Sequence, residues 1–361
     1  MVFPDPHFHR QDGFTVKIEY GNRAQRDCAY VTFLMVNDSY LPGCLMVARA
    51  LRAQHPCADI VCMVTDQVSE MAVTSLSYVY DRVVYVDAIR IPHRHAQTRQ
   101  AVPYMFTRLN ALRLGRDGDL GCGYHKVVVL DSDVLPLRNY ENLLSLSTPA
   151  GIINEDKYHF IEVDHRNRYV IPPDVYERGK WCWHRIYEPV CPHGHSIPKH
   201  ITDRVANDPA NLGVNGSLFV LAPSMDEYNA IMADLQRPAT RALVGERFDW
   251  PDMQYLTLRW SGKWSNIDLR YSALNGYPCL DVLYGTHFAG VKPWYLGKRR
   301  CAERYARFPD YRLWYKRWCR LVHEEYPQLL SDSRLRRLTR RIEGLQCEER
   351  SQARQRALAT G

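Results

Sequence analysis

Short apolar runs alternate with segments of helical spacing through the first third of the chain. Residues 29–36 (AYVTFLMV) read as a strand, and 45–54 (LMVARALRAQ) carry apolar positions at helical intervals. Residues 60–65 (IVCMVT) form a second strand-like run, 68–78 suit a helix, and 82–86 (RVVYV) make a third strand. Another helical stretch at 106–114 precedes a fourth strand at 126–130 (KVVVL). Strand and helix alternating in this way predict an α/β fold, a mixed but mostly parallel central sheet covered on both faces. Ligands of such sheets bind beyond the carboxyl ends of the strands. Asn37-Asp38-Ser39-Tyr40, Thr65-Asp66 and Asp131-Ser132-Asp133 are therefore expected on one rim.

The pattern then changes. Residues 154–210 are rich in His, Pro, Arg and aromatics with little periodicity, and read as an irregular insert of the kind that is functional or mobile. Strand character returns at 216–221, and helical spacing at 226–235 and 253–258. Trp314, Trp318, Leu321 and Val322 recur at helical intervals, which predicts a helical appendix over 297–345. The polar, Pro- and Gly-containing residues 1–27 read as a flexible arm, and 346–361 as a basic tail; no internal repeat is visible.

Composition narrows the class. A chain of 361 residues with 46% hydrophobic content can bury a large core, and 24% charged residues is ordinary for a soluble protein. The net charge of +7 is concentrated at the C-terminus, where eight Arg and three Glu fall between 333 and 361. The basic balance thus belongs to a tail, and nucleic acid is not an expected partner. That tail suits a solvated helix end, or an amphipathic helix against anionic lipid or a partner. Eleven scattered cysteines, several inside apolar runs, point to a reduced compartment. With no apolar signal core near the start and no run approaching the roughly 18–20 residues that span a bilayer, a cytoplasmic protein without a transmembrane segment is expected.

Two groups of residues could carry chemistry. Asp131-Ser132-Asp133 ends a strand written VVVL, and reads either as a turn whose carboxylates cap backbone N–H groups or as a divalent-cation site. Hard carboxylate oxygens suit Mn2+ or Mg2+, which in turn take phosphate oxygens of a nucleotide. Far downstream, GTHFAGVKPW (285–294) offers His287 as an imidazole ligand, Gly290 for close backbone approach and Lys292 as a phosphate cation. Cys182, His184, Cys191, His193 and His195 are metal-capable, but their spacing does not match the usual zinc pairs, and an acceptor-facing loop is the preferred reading.

The chain resembles glycosyltransferase family 8, the glycogenin-like retaining enzymes, over about residues 28–296. Four blocks carry the likeness, in the family's order and separation: AYVTFLMVNDSYLPGCLMVARAL, KVVVLDSDVLPLRN, NLGVNGSLFVLAPS and HFAGVKPW. The resemblance implies a GT-A-like domain with a Rossmann-type nucleotide half, and transfer of a hexose, glucose or galactose, from a UDP-sugar to a glycan or protein acceptor. It implies Mn2+ as cofactor, with Mg2+ as a substitute, held by Asp131, Asp133 and His287. Thr32, Asn37, Asp38 and Tyr40 would form the nucleotide pocket, with Ser132 beside them. Arg108 stands where the family usually has Lys, and would contact the donor's diphosphate or sugar. Asn215, Gly216 and Ser217 would meet the donor sugar, Gly290 and Lys292 would close over the diphosphate, and Asp252 matches the Asp of the family's Asp-Gln pair. A homodimer is compatible with this reading.

The chain also departs from the pattern. It carries one residue more than glycogenin between Thr32 and the Asn-Asp pair, Met253 stands where the family has Gln with Gln254 next to it, and HFAGVKPW is one residue shorter than the commoner form. Three rivals remain at this level: an inactive nucleotide-sugar- or glycan-binding module, a nucleotidyltransferase, and a self-glucosylating enzyme. For the last, Tyr271, Tyr277 and Tyr284 are the candidate acceptors.

Overall fold

Val, Ile and Leu dominate the predicted strands because their branched side chains pack well on a pleated surface. A computed structural model describes residues 26–95, 101–154, 191–209, 211–277, 280–296, 305–306 and 308–359, plus the backbone of two short strand pairs at 9–17 and 162–170. Most of the expected arm and of the 154–210 insert lie outside the described residues. Ten strands build the body: β1 Cys28–Leu34, β2 Asp59–Val64, β3 Arg82–Tyr85, β4 Lys126–Leu130, β5 Val134–Pro136, β6 Ala150–Ile153, β7 Val214–Leu221, β8 Ser265–Asn266, β9 Ala273–Leu274 and β10 Gly285–His287.

The main sheet runs β8-β6-β7-β4-β1-β2-β3, and a small second sheet runs β9-β10-β5. In the main sheet β4, β1, β2 and β3 are mutually parallel, β8 is parallel to β6, and β7 is antiparallel to both its neighbours. The sheet is therefore mixed and mostly parallel, as the alternation implied. The period-2 pleat explains why β1 and β4 read as unbroken apolar runs. Tyr30, Leu34, Val128 and Leu130 face one core, while Ala29, Val31, Phe33, Val127 and Val129 face the other. Burying each such Val or Leu stabilises the fold by about 1.5–3 kcal/mol.

The helices follow the expected segments with shifted ends: Leu41–Arg52, Glu70–Ser77, Met225–Leu235 and Pro251–Arg259. Residues Val102–Leu114 are helical but wound as 3-10. One helix, Lys199–Asn207, lies inside the 154–210 insert, whose sequence lacks helical periodicity over most of its length. At the C-terminus the helices Pro309–Arg320 and Ser333–Ala359 bring Trp314, Trp318, Leu335 and Ile342 into the same core as Tyr30 and Leu45. Among the described residues, no helix is long and apolar enough to cross a membrane.

Candidate active site at the strand ends

β4 and β5 are separated by just Asp131-Ser132-Asp133, and this short turn fixes where both acids point. The Asp131 N–H donates to the Ser217 carbonyl at 2.9 Å, tying the turn to β7, and the Val134 N–H closes it on the Asp131 carbonyl at 3.0 Å. Pairing of β10 with β5 puts His287 opposite Val134, one residue from Asp133, and the Phe288 N–H donates to the Asp133 carbonyl at 2.9 Å. The expected metal ligands thus come together: donor atoms of Asp131, Asp133 and His287 all lie within 4.8 Å of one another. Gly43, in the first turn of helix Leu41–Arg52, is packed so tightly that a Cβ there would come within 2.3 Å of the Ser132 carbonyl oxygen and 2.5 Å of the Trp294 ring.

Positive groups flank the two acids separately. Lys292 Nζ donates to Asp133 Oδ2 at 2.5 Å and to the Phe288 carbonyl at 2.6 Å, and His287 Nε2 sits 3.4 Å from Asp133 Oδ1. Burial works against the Asp133 carboxylate, but the Lys292 ammonium and His287 overturn it and hold the group well below the usual carboxylate range. Asp131 goes the other way: burial, opposed by Arg108 and reinforced by Asp133, pushes it up to about 6. The guanidinium of Arg108 bridges Asp131 Oδ1 and Asp252 Oδ2, each at 3.1 Å, donates to the Gly216 carbonyl, and lies over the Phe33 ring at 5.0 Å.

The remaining donor set fits a hard or borderline dication. Asp131 Oδ1, Asp133 Oδ1 and His287 Nδ1 are buried without a hydrogen-bond partner. Two carboxylates and an imidazole with lone pairs in reserve match what Mn2+ or Mg2+ takes from a protein before phosphate completes the shell. Both oxygens of Asp252, which is 1% exposed, also lack a hydrogen bond, so its contact with Arg108 is ionic and out of hydrogen-bond alignment.

Not every expected residue reaches this cluster. Thr32 is fully buried below the rim, with its hydroxyl 2.7 Å from Tyr80 Oη, so it is a core residue and does not line a pocket. Asn37 caps the turn that follows it, its Oδ1 accepting the Ser39 N–H at 2.9 Å. Asp38 is turned away: Oδ1 accepts the Ser69 N–H at 2.9 Å, and Oδ2 accepts Arg334 of the C-terminal helix. Tyr40 does reach the cluster, edge-on to Trp294 at 5.5 Å and with Lys292 Nζ 5.9 Å from its ring centre. Asn215 Oδ1 accepts the Ser217 N–H at 2.8 Å at an irregularity in β7, and Ser217 Oγ lies 2.8 Å from Ser272 Oγ. A Cβ on Gly216 would meet Arg108 Nη1 at 2.7 Å and Met253 Cγ at 2.8 Å, so Met253 does lie against this segment. Gln254 cannot take its place. Its Oε1 accepts the Asp249 and Trp250 N–H groups and its Nε2 donates to the Pro209 and Asn211 carbonyls, which spends the amide on loops. The Gly290 N–H points to Asn275 Oδ1 at 3.4 Å.

Sequence reasoning missed several supporting residues. Tyr311 donates to the Val291 carbonyl and Asp310 accepts the Gly276 N–H, so the helix Pro309–Arg320 buttresses the segment carrying His287 and Lys292. Only the helical spacing of Trp314 and Trp318 hinted at this. Of the Cys/His group, Cys182 and His184 lie outside the described residues; Cys191 is buried, and His193 Nδ1 accepts the Asp268 N–H at 3.0 Å. Tyr271 and Tyr277 are 2% and 1% exposed, and Tyr284 stacks on Tyr271 with ring centres 4.4 Å apart.

No family model matches the chain. It is 24% identical over 312 residues to galactinol synthase 1 of Arabidopsis thaliana, covering 83% of this chain and 80% of that one. It is 32% identical over 120 residues to human glycogenin-2, covering 32% of this chain and 22% of that protein. The chain therefore spans less than a quarter of the glycogenin it matches. Among solved structures, LgtC overlaps 78% of this chain and 95% of its own at 14% identity and a TM-score of 0.47. The resemblance read from the four blocks holds: the chain is similar to glycogenin-like glycosyltransferases.

Proposed function

We propose that this chain, similar to glycogenins and a galactinol synthase, is a retaining hexosyltransferase that takes glucose or galactose from a UDP-sugar to a glycan or protein acceptor. The observation that carries the reading is the convergence of Asp131, Asp133 and His287 at the strand ends, with one ligand atom of each within 4.8 Å of the others. These three would hold Mn2+, or Mg2+ in its place, and the ion would supply Lewis-acid charge at the diphosphate that leaves the sugar.

The chain's own residues do the rest. Lys292, fixed by two backbone carbonyls and Asp133, is a second cation beside the same point, and would stabilise charge as it builds on the departing phosphate. Tyr40, packed on Trp294, offers an aromatic edge to the nucleotide. Arg108 orients Asp131 and Asp252 together, so metal ligand and donor-sugar contact share one rigid guanidinium. Asp252 serves in positioning, its carboxylate paired with Arg108 and without a hydrogen bond of its own, while the acceptor enters on the face of the sugar from which the diphosphate departs. The burial of Tyr271 and Tyr277 speaks against self-glucosylation at those two sites.

The test is UDP release from a panel of UDP-sugars with Mn2+, using an Asp131→Ala/Asp133→Ala variant as control. Turnover of one donor, lost in the control, is expected. Binding of UDP-sugars with no turnover on any acceptor would indicate an inactive binding module. Pyrophosphate from a nucleoside triphosphate and a sugar phosphate would indicate a nucleotidyltransferase.

A further inference from the structure

The loop after Cys28–Leu34 contains a conformation that its own sequence does not favour. Val36 has a φ of +69°, in the left-handed region that a β-branched residue rarely enters. The Asn37 N–H closes a three-residue turn around it by donating to the Met35 carbonyl at 2.8 Å. Such a conformation persists where its surroundings over-determine it.

Two sets of bonds do so. On one side the Val36 N–H donates to Thr65 Oγ1 at 3.0 Å. On the other, Asp38 is gripped through both oxygens, by the Ser69 N–H and by Arg334 Nη1. Arg334 is itself locked. Its Nη2 reaches Ser69 Oγ at 3.2 Å and Asp332 Oδ2 at 2.8 Å, while its Nε and backbone N–H donate to Asp332 Oδ1 at 3.2 and 2.7 Å. Asp332 is 2% exposed, so the fork is held from behind. Arg334 is the second residue of the C-terminal helix, and its charge offsets that of the Asp38 carboxylate.

We propose that Arg334 is a positioning residue for nucleotide binding: through Asp38 it fixes the 35–40 loop and thereby sets Tyr40 beside Lys292 and Asp133. This rests on the nucleotide-sugar reading above. The ligand whose affinity depends on it is a nucleoside diphosphate, and Asp38 acts through the loop rather than by touching that ligand. A lysine would keep the charge but not the planar fork that spans Asp38, Ser69 and Asp332.

The test is calorimetric titration of UDP, with Mn2+ present, into the full chain and into Arg334→Ala, Arg334→Lys, Asp38→Asn and the Arg334→Ala/Asp38→Asn double variant. The thermal midpoint of each is recorded alongside. If release of the loop cuts the competent population to a tenth, affinity falls about tenfold. That loss is expected in each of Arg334→Ala and Asp38→Asn, with no further loss in the double variant and a partial recovery in Arg334→Lys. Turnover at saturating donor should stay within about twofold of wild type, since the reacting groups are untouched. Unchanged UDP affinity in Arg334→Ala, with just a lowered thermal midpoint, would overturn the proposal, as would losses that multiply in the double variant. Should Arg334→Ala fail to fold, Arg334→Gln is read by the same criteria. A wild-type chain that binds no UDP would overturn the nucleotide reading itself and this proposal with it, whereas binding kept by every variant defeats this proposal alone.

Discussion

Gly216 illustrates how little freedom the candidate site leaves a single residue. Its neighbours are Arg108 and Met253, and a methyl group would sit 2.7 Å from Arg108 Nη1. Gly216→Ala must therefore move the guanidinium that joins Asp131 to Asp252, and turnover is expected to fall at least about tenfold by the misplacement argument. A variant with wild-type kcat would show that Arg108 need not be where it is found. Asp252 makes a cleaner test because its carboxylate is buried, ionically paired and otherwise free. Asp252→Asn keeps the shape and removes the charge. It should lower kcat by about 10²–10³, the usual cost of one preorganised polar contact, while UDP affinity stays within about twofold. Steady-state kinetics and calorimetry on the same preparation separate the two effects. At this scale the sequence was legible where local spacing set the geometry: a three-residue turn leaves Asp131 and Asp133 little choice of direction. It was not legible for Thr32 or Asp38. Their partners, Tyr80 and Arg334, stand 48 and 296 residues away, and no local pattern announces a contact at that range.

At the scale of elements, the helix Pro309–Arg320 matters more than its distance in sequence suggests. Asp310, in its first turn, accepts the Gly276 N–H at 2.5 Å, the Tyr311 N–H at 2.9 Å and the Thr286 hydroxyl at 3.3 Å. These contacts tie the turn at Gly276 and the strand Gly285–His287 to the helix. Burial nonetheless prevails over these bonds and raises the Asp310 carboxyl to about 6. The folded state thus keeps a proton that the unfolded chain releases near pH 4. Stability from this group is present below that pH and is lost as pH rises towards 6, by about 3 kcal/mol. Asp310→Asn cannot titrate. The stability difference between wild type and variant, from urea unfolding across pH 4–7, should shift against wild type by that amount as pH rises. A shift in the opposite direction would mean that the carboxylate is the favoured form in the fold. The alternation of strands and helices made the parallel half of the sheet readable. It could not reveal that Val214–Leu221 runs antiparallel between two neighbours, because a strand buried on both faces reads the same in either direction.

At the scale of the whole molecule, two cores share one sheet, and the C-terminal helices are part of that arrangement. Trp314 and Trp318 stack in parallel with centres 5.4 Å apart, Trp314 lies 5.8 Å from Trp294, and Arg49 forms a bidentate pair with Glu325 at 2.9 and 2.7 Å. Helical spacing located these tryptophans, but spacing does not say which surface a helix covers; only the packed core shows that they seal the face of helix Leu41–Arg52. A sheet whose two faces cannot be exposed separately should unfold as one unit. Far-UV dichroism, which follows the sheet and helices together, and tryptophan fluorescence are therefore expected to give one urea midpoint. Trp318→Ala removes a fully buried ring and should cost about 3–5 kcal/mol, lowering both midpoints equally. The same variant should lose UDP binding at its lowered midpoint and not before it, because Trp314 and Tyr311 reach the Val291–Trp294 segment through this packing. An early fluorescence transition, with dichroism and UDP binding retained, would show instead that the C-terminal helices detach while the sheet and its rim stay folded.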